Sequence, residues 1–363
     1  MNITQLTLNK FRCFDEKTFV FDSNVIVIEG CNGSGKSSIL EALHYACYFR
    51  SFRTHSANDL VFLGTKHFFI EVKFSEEKES PEESIQIGFA GGNKKTVKLD
   101  SKALQSYKEL ITHYKIVTLT ADDVALVQGE PELRRDFLNA ALVLQNPNFI
   151  SILKTYKRIL AQRNALLING NLNNEEFVIW TKQLFELTTS IQQERIAYLL
   201  NLEASVNNLI QNFIPDEEFF ISFKYQTKVI QPDELYDNFI KRYNNIHGEQ
   251  ERLWKRTLFG AHLDDFVITF QGKKARGYAS RGQQKLLTLI IKVAQLKEAL
   301  ARLNIKPVFL VDDFLTDFDA KRTQQCLKML VALNIQLFLT VPLPLSQDFI
   351  KVLGDNITFI KLS

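Results

Sequence analysis

Eight consecutive residues, Gly30-Cys31-Asn32-Gly33-Ser34-Gly35-Lys36-Ser37, place glycines, a lysine and a serine at the spacing G-x-x-x-x-G-K-S. That pattern suits chemistry on phosphates. Its glycines let successive backbone N–H groups curl around an anion, Lys36 brings positive charge to the β- and γ-phosphates of a nucleotide, and the Ser37 hydroxyl can ligate Mg²⁺. The pattern has this meaning only between a buried strand and a helix. Val25-Ile26-Val27-Ile28 is an apolar run of strand length, and after the loop Ile39, Leu40, Leu43, Ala46 and Cys47 fall at helical spacing, with Ser38 in the first turn. A chance glycine turn has no reason to be flanked in this way.

A second apolar run, Val308 to Val311, ends in Asp312-Asp313. Two carboxylates at a strand end can simply cap it. Beside a phosphate loop they can divide the work of hydrolysis, one holding the metal and the other orienting the attacking water. By analogy with other loop-type ATPases, Asp312 joins Ser37 as a metal ligand and Asp313 serves the water; with Lys36 these are the candidate catalytic residues. Ser280-Arg281-Gly282-Gln283-Gln284 opens a further helix, where small residues admit a phosphate to the first turn. Alone that is more often a capped helix start. It precedes Asp312 by 32 positions, which is the spacing of the serine-glycine motif in ABC-type ATPases, where the motif contacts the nucleotide held by a partner subunit.

The elements needed to position these groups follow from periodicity. Ile3, Leu6 and Leu8, then Phe19 to Phe21, read as strands before the loop. Phe68, Ile70, Val72 and Phe74 alternate with polar residues, and after the charged stretch Ser75 to Ser84 come Ile85, Ile87, Phe89 and the turn Gly91-Gly92-Asn93, an antiparallel meander. From Pro131 the period turns helical, through Leu138, Leu142, Ile152, Tyr156, Ile159 and Arg163 to a loop at Asn169 to Asn174, then along Trp180, Leu184, Leu187, Ile191, Tyr198 and Leu202. Two such helices form an αα-hairpin, expected to project as an arm and return the chain near Pro215. Strand alternation resumes at Phe219, Ile221, Phe223 and Tyr225; the final third reads α/β, with a helix from about Gly282 to Leu303 and a strand at Gln336 to Val341.

Bulk properties narrow the class without choosing within it. The 363 residues, 45% of them hydrophobic, can bury a full core in two domains. A net charge of +3 from 44 basic and 41 acidic side chains is nearly silent on nucleic acid. Cys13, Cys31, Cys47 and Cys326 suggest neither a disulfide framework nor a zinc site, which fits a reducing cytoplasm. No apolar stretch approaches the roughly 18 residues of a membrane span, so no membrane partner is expected.

Distributed motifs connect these parts. Beside the phosphate loop stand Asn9-Lys-Phe-Arg-Cys-Phe14, Arg50-Ser-Phe-Arg53, Leu119-Thr-Ala-Asp-Asp, Val127-Gln-Gly-Glu-Pro-Glu-Leu-Arg-Arg135, Arg163-Asn-Ala-Leu-Leu167, Gly260-Ala-His-Leu-Asp-Asp265 and Val311-Asp-Asp-Phe-Leu-Thr-Asp-Phe-Asp319. The chain resembles the RecF family, relatives of SMC heads, over most of its length. That resemblance implies an α/β fold: an ABC-type ATPase head with mixed sheets, split as 1–118 and 215–363, and a helical arm domain, 119–214, inserted in the sequence. It implies ATP and Mg²⁺ as cofactors, with Gly30, Cys31, Asn32, Gly33, Ser34, Gly35, Lys36, Ser37 and Ser38 at the bound nucleotide. Ser280, Arg281, Gly282, Gln283 and Asp319 would meet the nucleotide of a second copy in an ATP-dependent homodimer. It further implies binding of double-stranded DNA near single-strand gaps, slow ATP hydrolysis, and action with RecO and RecR to place RecA. The alternative is another SMC/ABC-type ATPase acting as a nucleotide-gated scaffold.

Three positions depart from the family pattern: Ala261 and Leu263 stand where it has proline and arginine, and Arg281 where it has glutamine. Thr340 stands where many ABC ATPases carry a switch histidine; a threonine can position water but accepts its proton less well. His262, in a loop beside two aspartates, is read as a hydrogen-bonded residue rather than a catalyst. Arg134, Arg135, Lys154, Lys157, Arg158 and Arg163 are candidates for a basic stripe facing DNA phosphates, against the plainer reading of a solvated helix face.

Overall fold

The computed structural model describes residues 1–75, 81–92, 95–104, 107–170, 175–215, 219–230, 234–303, 306–342 and 344–362. Asn93 of the expected glycine turn, residues 171–174 of the interhelical loop and 76–80 of the charged stretch lie outside this set. The chain begins with β1 (Asn2–Phe11), β2 (Phe14–Val20) and β3 (Val25–Gly30), then α1 (Lys36–Tyr48). Next come β4 (Phe68–Ser75), β5 (Glu83–Phe89), β6 (Lys95–Leu99), β7 (Lys102–Ala103), α2 (Tyr107–His113) and β8 (Ile116–Leu119). The middle holds α3 (Ala125–Gln128), α4 (Pro131–Gln145), α5 (Phe149–Asn169), α6 (Glu175–Phe213), β9 (Ile221–Gln226) and α7 (Tyr236–Trp254). It continues with β10 (Asp265–Phe270), β11 (Lys273–Lys274) and α8 (Ala275–Tyr278). Then follow α9 (Arg281–Arg302), β12 (Val308–Val311), α10 (Ala320–Val331), β13 (Leu337–Val341), α11 (Gln347–Leu353) and β14 (Ile357–Leu362).

Two compact units emerge. The first comprises Met1–Val124, Leu209–Glu217 and Lys285–Ser363. It contains an antiparallel sheet, β2-β1-β4-β5-β6-β7, and a parallel sheet, β14-β3-β13-β12-β8. The sequence explains the difference between them. On β1, Ile3, Leu6, Leu8 and Phe11 are buried and their neighbours half-exposed, the alternation of a sheet with one face on the core. β3, β12 and β13 are apolar nearly throughout and buried, as parallel strands covered on both faces must be. One core joins Leu6, Leu8, Ile26, Ile28, Leu40, Leu43, Ile70, Ile87 and Leu310.

The second unit comprises Ala125–Asn208 and Glu218–Gln284. Helices α4 to α7 pack with the small antiparallel sheet β11-β10-β9. Phe239 stacks on Tyr243 and meets Phe185 and Phe259; Phe137 meets Tyr198 and Phe266. The expected boundaries of 1–118 with 215–363 for the head and 119–214 for the arm differ from this division, because strands β9 to β11 with α7 and α8 group with the preceding helices. Arg134 on α4 shows why: its guanidinium grips the Asp265 carboxylate with two bonds of 2.7 and 2.9 Å, fastening β10 to the helical part.

Candidate nucleotide site

The order of the parallel sheet brings the ends of three strands side by side. Thr340 on β13 pairs across with Ile28 on β3, and Leu339 pairs with Val311 on β12. The phosphate loop leaves β3, the two aspartates leave β12, and Thr340 lies on the strand between. This is the carboxyl edge, the edge at which open α/β sheets bind ligands.

Within the loop, two glycines have a steric reason. Gly35, at φ +101°, caps α1 in the left-handed region with no side chain satisfying the first-turn N–H groups; a Cβ there would lie 2.7 Å from both Cys13 Sγ and Phe14 Cζ. The turn between β1 and β2 thus presses on the loop and admits only glycine. A Cβ on Gly30 would collide with Ser34 Oγ and stand 2.9 Å from the Leu362 carbonyl oxygen. Cys31, Asn32 and Gly33 are exposed, and Ser38 is buried in the first turn.

Lys36 is almost fully buried. Its ammonium donates to the carbonyls of Gly30 at 2.8 Å and Cys31 at 3.2 Å and stands 3.8 Å from Asp313 Oδ2. Ser37 Oγ donates to Asp312 Oδ1 at 2.9 Å. Thr340 Oγ1 lies 2.9 Å from the same oxygen and 3.2 Å from Asp313 Oδ1, and accepts the Asp313 N–H at 2.7 Å. Burial pushes the Asp312 carboxyl above its usual range and the Asp313 charge adds to this, while the Ser37 and Thr340 hydrogen bonds and Arg53 oppose it.

These groups fit a magnesium nucleotide. Ser34 Oγ is buried inside the loop with no protein partner, a polar atom of the kind a phosphate oxygen satisfies. The open N–H groups of α1 and the Lys36 ammonium suit a polyanion. Ser37 and Asp312 are hard oxygen donors, and Mg²⁺ at phosphates commonly takes only one or two such ligands from the protein. Among the described residues no group of three or more His, Cys, Asp and Glu comes together, and such a site needs none.

A residue that motif reading passes over supports the loop from behind. Glu41, fully buried on α1, accepts two bonds of 2.7 Å from Arg12 and one from the Ser51 hydroxyl, with Arg53 at 3.8 Å. One carboxylate thereby ties Asn9-to-Phe14 and Arg50-to-Arg53 to the nucleotide helix. An acid one position after Ile39-Leu40 was the available signal. On the same helix His44 donates to or accepts from Thr118 Oγ1 at 2.8 Å, and burial lowers its pKa to about 3, with Arg50 and Lys292 adding to the effect.

Asp319 caps α10, its carboxylate accepting the Arg322 N–H at 2.7 Å. In the second unit, Ser280 and Gln283 form a reciprocal capping box at the start of α9: the Ser280 N–H donates to Gln283 Oε1 at 2.8 Å and the Gln283 N–H to Ser280 Oγ at 3.3 Å. Arg281 and Gly282 are exposed, and a Cβ on Gly282 would meet nothing within 4 Å.

The basic stripe needs correction. Arg163 is buried, bound to Glu251 by two bonds of 2.7 and 2.6 Å and to Thr181 and Thr257. Arg134 is spent on Asp265 and the Gly129 carbonyl, and Arg135 donates to the Asp264 carbonyl at 2.9 Å. Only Lys154, Lys157 and Arg158 of the group are exposed. His262 is hydrogen-bonded as expected, with Nδ1 2.7 Å from the Tyr156 hydroxyl, and burial lowers its pKa to about 4, Arg135 adding to this.

Comparison with known proteins agrees with this geometry. Residues 2–342 match the family described as RecF/RecN/SMC N terminal domain. The fold recurs in solved structures: a RecF with ATP, a recombination mediator of the RecFOR pathway, superposes with a TM-score of 0.83 at 24% identity, covering 95% of this chain and 92% of that one. An Smc head from Pyrococcus furiosus bound to the C-terminal domain of ScpA gives a TM-score of 0.56 at 15% identity, over 99% and 94%. The chain is therefore a mixed α/β head of the ABC/SMC ATPase fold. Among curated proteins, the DNA replication and repair protein RecF of Clostridium novyi is 30% identical over 329 residues, and that of Chloroherpeton thalassium 29% over 338, covering 90% and 91% of both chains. The chain belongs to the RecF family. No helix among its described residues is long and apolar enough to cross a membrane.

Proposed function

We propose that this chain binds ATP with Mg²⁺, closes as a homodimer on two nucleotides, and acts on double-stranded DNA near single-strand gaps in recombinational repair. The observation that carries the nucleotide reading is the Ser37–Asp312 hydrogen bond beside a buried Lys36 and the unsatisfied Ser34 hydroxyl. Lys36 and the α1 N-terminus hold the phosphates. Ser37 and Asp312 would hold Mg²⁺, which supplies charge neutralisation on the phosphates, and Asp313 orients the attacking water. Hydrolysis is slow, because Thr340 cannot take the proton as a histidine would.

The dimer reading draws on Gly282. Among the described residues nothing lies within 4 Å of a Cβ at Gly282, which leaves room for a phosphate to approach from outside. In this reading Ser280, Arg281, Gly282, Gln283 and Asp319 serve the nucleotide of the second copy. The units keep the roles of head and arm. The RecF relatives are named for DNA replication and repair, and a RecF similar in fold for the RecFOR pathway; on that basis the partners are gapped DNA, RecO and RecR, with RecA placed downstream in the cytoplasm. Of the expected basic stripe, exposed Lys154, Lys157 and Arg158 on α5 are the ones free to contact DNA phosphates. Gel shifts on gapped duplex with and without ATP, run beside light scattering, test this reading. ATP should yield a dimer and tighter DNA binding; a monomer with ATP and equally weak binding in all conditions would refute it.

A further inference from the structure

The hydroxyl of Thr340 has more partners than it has protons. A threonine hydroxyl carries one donor and two acceptor sites. One acceptor site takes the Asp313 N–H at 2.7 Å, which leaves a single proton facing two carboxylate oxygens, Asp312 Oδ1 at 2.9 Å and Asp313 Oδ1 at 3.2 Å. The oxygen itself has little freedom. Thr340 is 3% exposed on the middle strand β13, and its branched Cβ restricts χ1. Only the proton can turn. Asp313 meanwhile sits at φ +46°, a left-handed conformation uncommon outside glycine, and the bond from its N–H to Thr340 pins it there.

We infer that Thr340 is a positioning residue whose one hydroxyl proton links the metal-ligating corner, Ser37 with Asp312, to the orientation of Asp313. The inference rests on the ATP-hydrolysing reading above. Asp312 Oδ1 also accepts the Ser37 hydroxyl, and in the chain alone the nearer, half-buried Asp312 holds the Thr340 proton, at 2.9 Å against 3.2 Å for Asp313. A cation held by Ser37 and Asp312 would satisfy that oxygen, and the Thr340 proton would then be free for Asp313 Oδ1. The carboxylate that aims the attacking water is then fixed at two points, its own N–H and its oxygen, by one side chain. No bond other than hydrogen bonds changes in this step. Valine has the shape without the proton; serine has the proton without the methyl group.

The test compares the full chain with Thr340→Val, Thr340→Ser, Asp313→Asn and the Thr340→Val/Asp313→Asn double variant. Three quantities are measured: amide exchange around Asp313 without nucleotide, affinity for a fluorescent ATP analogue with and without Mg²⁺, and single-turnover hydrolysis. Thr340→Val should speed exchange at Asp313, leave magnesium-free affinity within about 2-fold, and slow hydrolysis by about 10- to 100-fold, the effect of one hydrogen bond to a charged group. Thr340→Ser should restore both exchange and hydrolysis, which a methyl group lost from packing would not do. The double variant should be no slower than Asp313→Asn alone. Wild-type hydrolysis in Thr340→Val, or losses that multiply in the double variant, would overturn the inference. Failure of the unmodified chain to bind the analogue would instead bring down the nucleotide reading beneath it.

Discussion

Ser37 Oγ donates a hydrogen bond to Asp312 Oδ1 at 2.9 Å, joining the first turn of α1 to the end of β12 across 275 positions of sequence. The contact exists because β13 separates the strands that carry them, and Thr340 on β13 bonds to Asp312 from the other side. The proposed metal ligand, water-orienting acid and phosphate lysine thus meet at one sheet edge. The expected consequences can be measured.

Lys36→Ala removes the buried ammonium that ties the Gly30 and Cys31 carbonyls together and faces Asp313. Affinity for ATP should fall at least 10-fold, the scale of one lost charge-assisted contact. Calorimetric titration measures this, and light scattering should find the variant monomeric with ATP.

Gly35→Ala and Gly282→Ala should separate two kinds of glycine. At Gly35 the left-handed φ and the contacts with Cys13 and Phe14 make any side chain costly, about 1–3 kcal/mol for the backbone strain alone. At Gly282 the space is open, and replacing a helical glycine stabilises by about 0.5–1 kcal/mol. Thermal melting should show the first variant losing stability and the second holding or gaining it. ATP-dependent dimerisation should nevertheless fall in Gly282→Ala.

Arg163 and the exposed bases of α5 should also part company. Arg163→Ala strands Glu251 in the interior, a loss of about 3–5 kcal/mol, visible in urea unfolding. Charge reversal at Lys154, Lys157 and Arg158 together should leave unfolding almost unchanged and weaken DNA binding, with a shallower salt dependence in gel shifts.

His44 and His262 are half-buried, and desolvation lowers their pKa values to about 3 and about 4. For a base whose folded pKa is depressed, the folded state binds fewer protons than the unfolded chain. Stability is therefore complete above the unfolded value of 6.5 and is lost as pH falls from there towards the folded values, by at most about 1.4 kcal/mol per pH unit for each histidine. Urea unfolding followed from pH 7.5 to 4.5 should show this slope, and His44→Phe should reduce it.

Local signals made the nucleotide side of this protein legible. A phosphate loop is a short, contiguous solution to wrapping an anion, so Gly30 to Ser37 announce it without tertiary help, and the apolar runs at Val25 and Val308 mark doubly covered strands. The small sheet β11-β10-β9 falls within the expected head segment 215–363, because strand alternation does not say which partner a strand chooses; Arg134 gripping Asp265 fastens β10 to the helices instead. Charge was equally undecided. Arg163 and Lys157 lie on one helix six positions apart, yet the first is sealed against Glu251 and the second is exposed, since burial depends on what packs over each face. The sequence alone determined which residues could hold phosphate and metal. Only the tertiary structure decided that Thr340 stands between the two aspartates with one proton to share, because strand order in a parallel sheet is set by long-range packing and not by any local pattern.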